Sequence, residues 1–197
     1  MNKITRFLSS GMTFLTTSLL VLLLSISSAQ AANESAGDQA VEHIANLFTR
    51  WSGEDDPAVF KDAASVIDYH EMSQRALGPY WSTLKPAEQA EFKTQFQHLV
   101  EERYYKRWHR LFQKGKLSIL QTEKSQGDLI VKSSLSNARK EEMLVWRLSN
   151  KNGNCRVVSL DVGGEDLLNR ISGRFQKRFA KGGFKGMLAW MKNEADD

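Results

Sequence analysis

The chain has 197 residues, 41% hydrophobic and 25% charged, with a net formal charge of +4. These proportions sit near the globular average and exclude collagenous, low-complexity and wholly disordered chains. The single cysteine, Cys155, excludes an intramolecular disulfide, so the fold must stand on its apolar core.

Met1 to Ala31 differs in kind from the rest. Lys3 and Arg6 precede the uncharged run Met12–Ile26, which contains Leu19-Leu20-Val21-Leu22-Leu23-Leu24, and Ala29-Gln30-Ala31 supplies the small residues a signal peptidase reads. We read residues 1–31 as a cleaved export signal and 32–197 as one α+β domain. The alternative is a signal anchor, because the uncharged stretch is long enough to cross a bilayer. Without the leader the chain carries 25 basic and 23 acidic residues, a balance of +2 that suggests no nucleic-acid footprint. An exported domain without disulfides fits a Gram-negative periplasm.

Ala40, Ile44, Leu47 and Trp51 recur at helical spacing and make one apolar stripe. Asp56-Pro57 places an N-cap before proline at the first position of a second helix. Asp68-Tyr69-His70-Glu71 has the spacing of a capping box, and the short helix it starts ends at Gly78-Pro79. Pro86 to about Lys114 is the longest periodic segment, with Phe92, Phe96, Leu99, Tyr104, Trp108 and Leu111 along one face.

Between Gly115 and Val162 the period changes. Lys116–Gln121, Leu129–Leu135, Met143–Leu148 and Cys155–Val162 read as four strands of an antiparallel meander, with Asn152-Gly153 as a hairpin turn. Met143-Leu144-Val145-Trp146 is apolar at consecutive positions, so that strand should be covered on both faces or line a cavity. Glu165–Lys181 returns to helical spacing, Gly182-Gly183 breaks it, and Phe184–Lys192 forms a last amphipathic segment.

No catalytic constellation is found: no nucleophile elbow, no metal-ligand spacing, and His98, Glu102 and His109 lack a third ligand. Gly163-Gly164 before a helix is either a phosphate cradle or a tight turn. The aromatic inventory serves either a plain core or a lined cavity. The basic run of Arg170, Arg174, Lys177, Arg178 and Lys181 is either a solvated face or a surface for an anionic headgroup or acidic partner.

The ordered blocks resemble the MlaC / toluene-tolerance family of periplasmic phospholipid-binding proteins. The resemblance rests on Ile67-Asp68-Tyr69-x-x-Met72, Ala76-Leu77-Gly78-x-x-Trp81, Pro86-x-x-Gln89-x-x-Phe92-x-x-x-Phe96-x-x-Leu99 and Tyr104. It resumes at Val157, Val162-x-Gly164-x-x-Leu167, Phe175 and Gly182-Gly183-Phe184-x-Gly186-Met187-Leu188. The chain departs from the family pattern at Cys155, Val158-Ser159, Glu165-Asp166 and Ser172, and a hopanoid-associated branch shares the same domain.

The resemblance implies a four-stranded sheet wrapped by N- and C-terminal helices around an apolar cavity. It implies a non-enzymatic, monomeric carrier without cofactor that moves phospholipid between an outer-membrane lipid complex and an inner-membrane ABC-type transport complex. Together with the surplus of apolar positions, it nominates Phe96, Val100, Tyr104, Val145, Val162, Leu167, Phe175, Phe179 and Leu188 as acyl-chain contacts. Arg170, Arg174 and Lys177 are the candidate partner-binding residues. A packed interaction module using that basic face is the competing expectation.

Overall fold

The computed structural model describes residues 15–196 apart from 139, 152 and 153. The first part of the expected leader and the turn at Asn152-Gly153 lie outside them.

Helix α1 (Leu15–Arg50) carries Val41, Ile44, Ala45 and Phe48 on its buried face, with Leu47 at the edge of the stripe, and packs on the sheet. In α2 (Pro57–Val66) the Asp56 carboxylate accepts from the amides of Ala58 (2.9 Å) and Val59 (3.4 Å), as its cap position requires. Helix α3 (Tyr69–Leu77) is capped by Asp68, which accepts from the Glu71 amide at 3.0 Å, and ends at Gly78 with φ of 56°. The return half of the capping box is missing. Glu71 instead accepts from Arg75 Nε (2.8 Å) and Lys151 Nζ (2.6 Å), because a charged donor competes well with a backbone amide.

After a 3-10 segment (Gly78–Thr83) comes the long helical spine: α4 (Pro86–Val100), a π-helical turn (Glu101–Tyr105) and α5 (Lys106–Phe112). The π turn corrects the expected apolar face. Tyr105 and Phe112 are fully buried where Tyr104 and Leu111 were expected, because the wider π turn changes which neighbours face the core, while Trp108 is buried as expected.

Strands β1 (Lys116–Ser125), β2 (Asp128–Ser136), β3 (Glu141–Lys151), β4 (Asn154–Val162) and β5 (Glu165–Asp166) form an antiparallel sheet in chain order. The four long strands follow the expected meander, and β5 adds a two-residue pairing to Asp161 and Val162. Gly163 and Gly164, with φ of 63° and 90°, make the two-residue hairpin loop between β4 and β5, so the tight-turn reading of this pair is the one that holds.

The doubly covered β3 is not found. Leu144, Trp146 and Leu148 are buried against the helices, but Met143 is 47% exposed and Val145 is only half-buried, opposite Lys132 and Asp161 on the outer face. Successive residues of a strand face opposite sides, and no helix among the described residues covers the second side of β3.

Helix α6 (Leu167–Asp196) closes the structure, with Leu168, Ile171 and Phe175 inward before Gly183 (φ 61°, ψ −166°) and Met187, Leu188 and Met191 inward after it. The break falls where the glycine pair was expected to place it. The result is an α+β two-layer fold, helices on one face of the sheet.

One polar cluster joins α3 to the sheet. Arg75 clasps Asp128 through both terminal nitrogens at 2.6 and 2.8 Å, Arg147 reaches the same carboxylate at 3.3 Å, and Ser149 donates to Asp68 at 3.0 Å. Burial pushes the Asp128 carboxyl up, but the Arg75 and Arg147 guanidiniums bring it below its ordinary value. A lowered folded pKa stabilises above the unfolded value, and that contribution drains away as pH falls through the folded one. Asp128→Ala is expected to cost about 2–3 kcal/mol at neutral pH. In urea titrations the penalty should shrink below about pH 4; a penalty that is the same at pH 3 and pH 7 would contradict this account.

Candidate functional site

The interior between sheet and helices is apolar and shut. Phe48 of α1, Trp108 and Phe112 of α5, Trp146 of β3 and Leu160 of β4 meet Leu167 around a seam whose cavity measures only about 10 Å³. That is about the least space that admits one water. Trp146 stacks on Phe112 with ring centres 5.7 Å apart, and its indole nitrogen donates to Ser133 Oγ at 2.9 Å. The open apolar cavity expected from the resemblance is therefore a closed seam in this structure, because large rings fill the space between the layers.

Two surface grooves lead away from the seam. The first, about 260 Å³, is walled by Trp108, Leu111, Leu160, Val162 and Leu167, with Tyr104, Arg107, Glu165 and Arg170 at its border. It shares Trp108, Leu160 and Leu167 with the seam, so the seam's lining continues to the surface there. The second, about 510 Å³, shares Tyr104, Arg107 and Arg170 with the first and adds Arg103, Arg174 and Glu194 over a floor of Leu99, Ile171, Phe175 and Trp190. The charged groove thus adjoins the apolar groove, and the apolar groove adjoins the seam.

The π turn shapes this site. It lets neighbouring tyrosines serve opposite sides, Tyr104 in the grooves and Tyr105 in the core. Tyr105 OH and Tyr69 OH lie 2.5 Å apart, fully enclosed, and Phe48, Phe60 and Trp108 surround the Tyr105 ring with ring centres 4.8 to 5.7 Å away. Burial pushes both phenols above their ordinary range, so each stays a neutral hydroxyl with the other as partner.

Of the nominated acyl-chain residues, Tyr104, Val162, Leu167 and Phe175 line the grooves or the seam. Phe96 and Val100 are fully buried behind Phe175, with Phe96 and Phe175 ring centres 5.7 Å apart. Phe179 stacks on Tyr80 of the 3-10 segment at 4.5 Å, and Leu188 is buried in the core after the Gly183 break. Val145 stands on the outer face of the sheet, away from all of them. Among the nominated cations, Arg170 and Arg174 enter the charged groove, while Lys177 lies with Arg178 and Lys181 in a neighbouring hollow that Arg174 also borders.

Sequence reasoning missed Arg103, Arg107, Trp108 as a lining residue, and Leu160. The signal was present for the first two: Arg103 and Arg107 are four apart on one helix, as Arg170 and Arg174 are on another, and such pairs share a helix face.

No group of three or more metal-ligating side chains is found among the described residues. His98 faces Glu102 at 3.9 Å in solvent, whereas His109 is turned to the Phe48 carbonyl at 2.8 Å. Cys155 is buried, and burial pushes its thiol up. No helix among the described residues is long and apolar enough to cross a membrane.

A family model described as "MlaC protein" matches residues 56–193. Among solved structures, the chain is similar to a phospholipid-binding protein from Ralstonia solanacearum in complex with a phospholipid. That likeness has a TM-score of 0.71 and 17% identity over 83% of this chain and 96% of the other. None of the curated proteins matches it.

The tyrosine pair gives a test of how the seam is held. Tyr105→Phe strands the Tyr69 hydroxyl and is expected to cost about 1–2 kcal/mol in urea unfolding, whereas Tyr69→Phe combined with Tyr105→Phe should cost less than the two single changes together. Strict additivity would show that the hydroxyls do not depend on each other.

Proposed function

The chain belongs to the MlaC family, and from that membership we propose that it is a phospholipid carrier that shelters acyl chains in the seam between sheet and helices. The family is one of non-enzymatic lipid-binding proteins. The observation that carries the reading is that the first groove and the seam share Trp108, Leu160 and Leu167 in their linings. The phospholipid bound by the Ralstonia solanacearum protein of the same fold supports it.

The physical need is plain. Each methylene removed from water is worth about 0.8 kcal/mol, so two chains cross an aqueous space only inside an apolar sleeve. The rings close the seam, so loading parts α1 and α5 from β3 and β4, and the tails replace the ring contacts there. A dry apolar lining favours tails over water in the parted state, and unloading lets the rings meet again. In this reading residues 1–31 are removed on export, and residues 32–197 work in the periplasm between an outer-membrane lipid complex and an inner-membrane ABC-type complex. The basic hollow of Arg174, Lys177 and Lys181 is the surface through which an acidic partner docks.

Protein purified from a Gram-negative host, extracted with organic solvent and analysed by mass spectrometry should yield a diacyl phospholipid. A lipid-free extract would contradict carriage, and a polycyclic terpenoid in its place would contradict the phospholipid.

Paired variants locate the tails. Val162→Arg puts a charge at the half-buried lip of the apolar groove and is expected to lower the lipid carried several-fold, with the melting temperature little changed. Val145→Arg, on the outer face, should carry as much as the wild type. Equal loading in both variants would remove the groove from the path.

A further inference from the structure

We propose that the arginine-walled groove between the π turn, α5 and α6 seats the headgroup phosphate and makes the protein select anionic phospholipids over those with an ammonium headgroup. This deepens the carrier reading and rests on it.

The groove holds Arg103, Arg107, Arg170 and Arg174 against a single carboxylate, Glu194. Arg103 is bound to that carboxylate at 3.1 Å and to the Glu194 carbonyl, and Arg174 approaches the same oxygen at 4.0 Å. One acid is thus shared by two of the four cations. Arg107 lies over the Tyr104 ring with its guanidinium carbon 5.6 Å from the centre, a contact that orients the group without neutralising it. Arg170 pairs with Glu165 at 3.0 Å, and both ends of that pair are at least half exposed, so an anion in the groove displaces it at small cost.

Like charges gathered in one concavity repel and raise the local potential for an anion. All four are arginines, whose planar forks match the oxygens of a phosphate, whereas the neighbouring hollow mixes Arg174 and Arg178 with Lys177 and Lys181. The floor of Leu99, Ile171, Phe175 and Trp190 is apolar, as a glycerol backbone and the first methylenes require.

Position decides between a lipid and a free anion. Arg107 and Arg170 border the charged groove and the apolar groove alike, and the apolar groove shares its lining with the seam. A phosphate held between these two side chains stands where its ester-linked tails enter the apolar lining. A phosphodiester supplies one negative charge, which leaves the groove cationic. An added ammonium is then repelled, and an uncharged glycerol is not.

The test incubates the purified protein with vesicles containing equal amounts of phosphatidylglycerol and phosphatidylethanolamine of the same acyl chains, recovers it, and measures both lipids by mass spectrometry. The wild type should carry phosphatidylglycerol in about fivefold excess, equivalent to ~1 kcal/mol. Arg107→Gln with Arg170→Gln should bring the ratio near parity while lipid is still carried. Lys93→Gln with Lys185→Gln, the same loss of charge at exposed positions outside the grooves, should keep the excess. Parity in the wild type, an excess that survives the arginine changes, or its loss in the lysine control would each overturn the assignment. Exchange in phosphate buffer and in chloride at equal ionic strength separates the sources: a preference kept in both is expected, and one erased by phosphate alone would make the groove a free-anion site and overturn the proposal. Absence of both lipids would overturn the carrier reading itself.

Discussion

Everything in this fold depends on the contact between one face of the sheet and the helices laid across it. No disulfide supports that contact, since Cys155 stands alone, and the opposite face of the central strand carries Met143 and Val145 toward solvent. Stability must come from burying apolar surface in a single seam, at roughly 25 cal/mol for each Å² removed from water. Trp146, Phe112, Trp108 and Phe48 provide most of the volume, and they leave only about 10 Å³ between them. In the carrier reading proposed above, the surface that holds the protein together is also the surface offered to acyl chains, and the two uses alternate: the rings meet one another, or they meet tails.

That double use explains where the polar groups sit. The Tyr69 and Tyr105 hydroxyls satisfy each other on the helix side, and Ser133 satisfies the Trp146 indole on the sheet side, so the seam's neighbourhood is apolar without being short of hydrogen bonds. The Arg75–Asp128–Arg147 cluster ties α3 to the strands. It holds one end of the two layers together by charge, whereas the side bordered by Trp108, Leu160 and Leu167 leads to the grooves and is tied by the Ser159 hydroxyl, which accepts from the Leu168 amide at 3.3 Å and donates to Asp166 at 2.9 Å.

Much of this was legible in the sequence, for reasons that can be named. Asp56-Pro57, Asp68, Gly78 and Gly183 act through local backbone chemistry, so the helix boundaries they mark lie near the expected positions. Strands whose apolar residues alternate were read correctly. The end of β1, Thr122 to Ser125, lies beyond the strand expected over Lys116–Gln121 because both of its faces are polar, yet it pairs with β2 throughout. The π turn has no sequence signature, and it puts Tyr105 and Phe112 in the core where Tyr104 and Leu111 were expected, while Trp108 is buried as expected. Tyr104 nonetheless proved to be a groove residue, because the same turn that buried Tyr105 left Tyr104 outside. Val145 was misread for the opposite reason: four consecutive apolar residues do not reveal whether a second layer covers them. The arginine groove needed the docking of two helices that are distant in sequence, which periodicity within either one does not report.

The central claim is that tails enter between the layers. It is tested most directly by loading the protein with a phospholipid that carries a photoreactive diazirine near the end of one chain, irradiating it, and mapping the labelled residues by peptide mass spectrometry. The account expects label on the residues that bound the seam, Trp108, Phe112, Trp146, Leu160 and Leu167. Label confined to the outer face around Met143 and Val145, or to the rim arginines without the seam, would show that the interior stays shut and that lipid is held elsewhere.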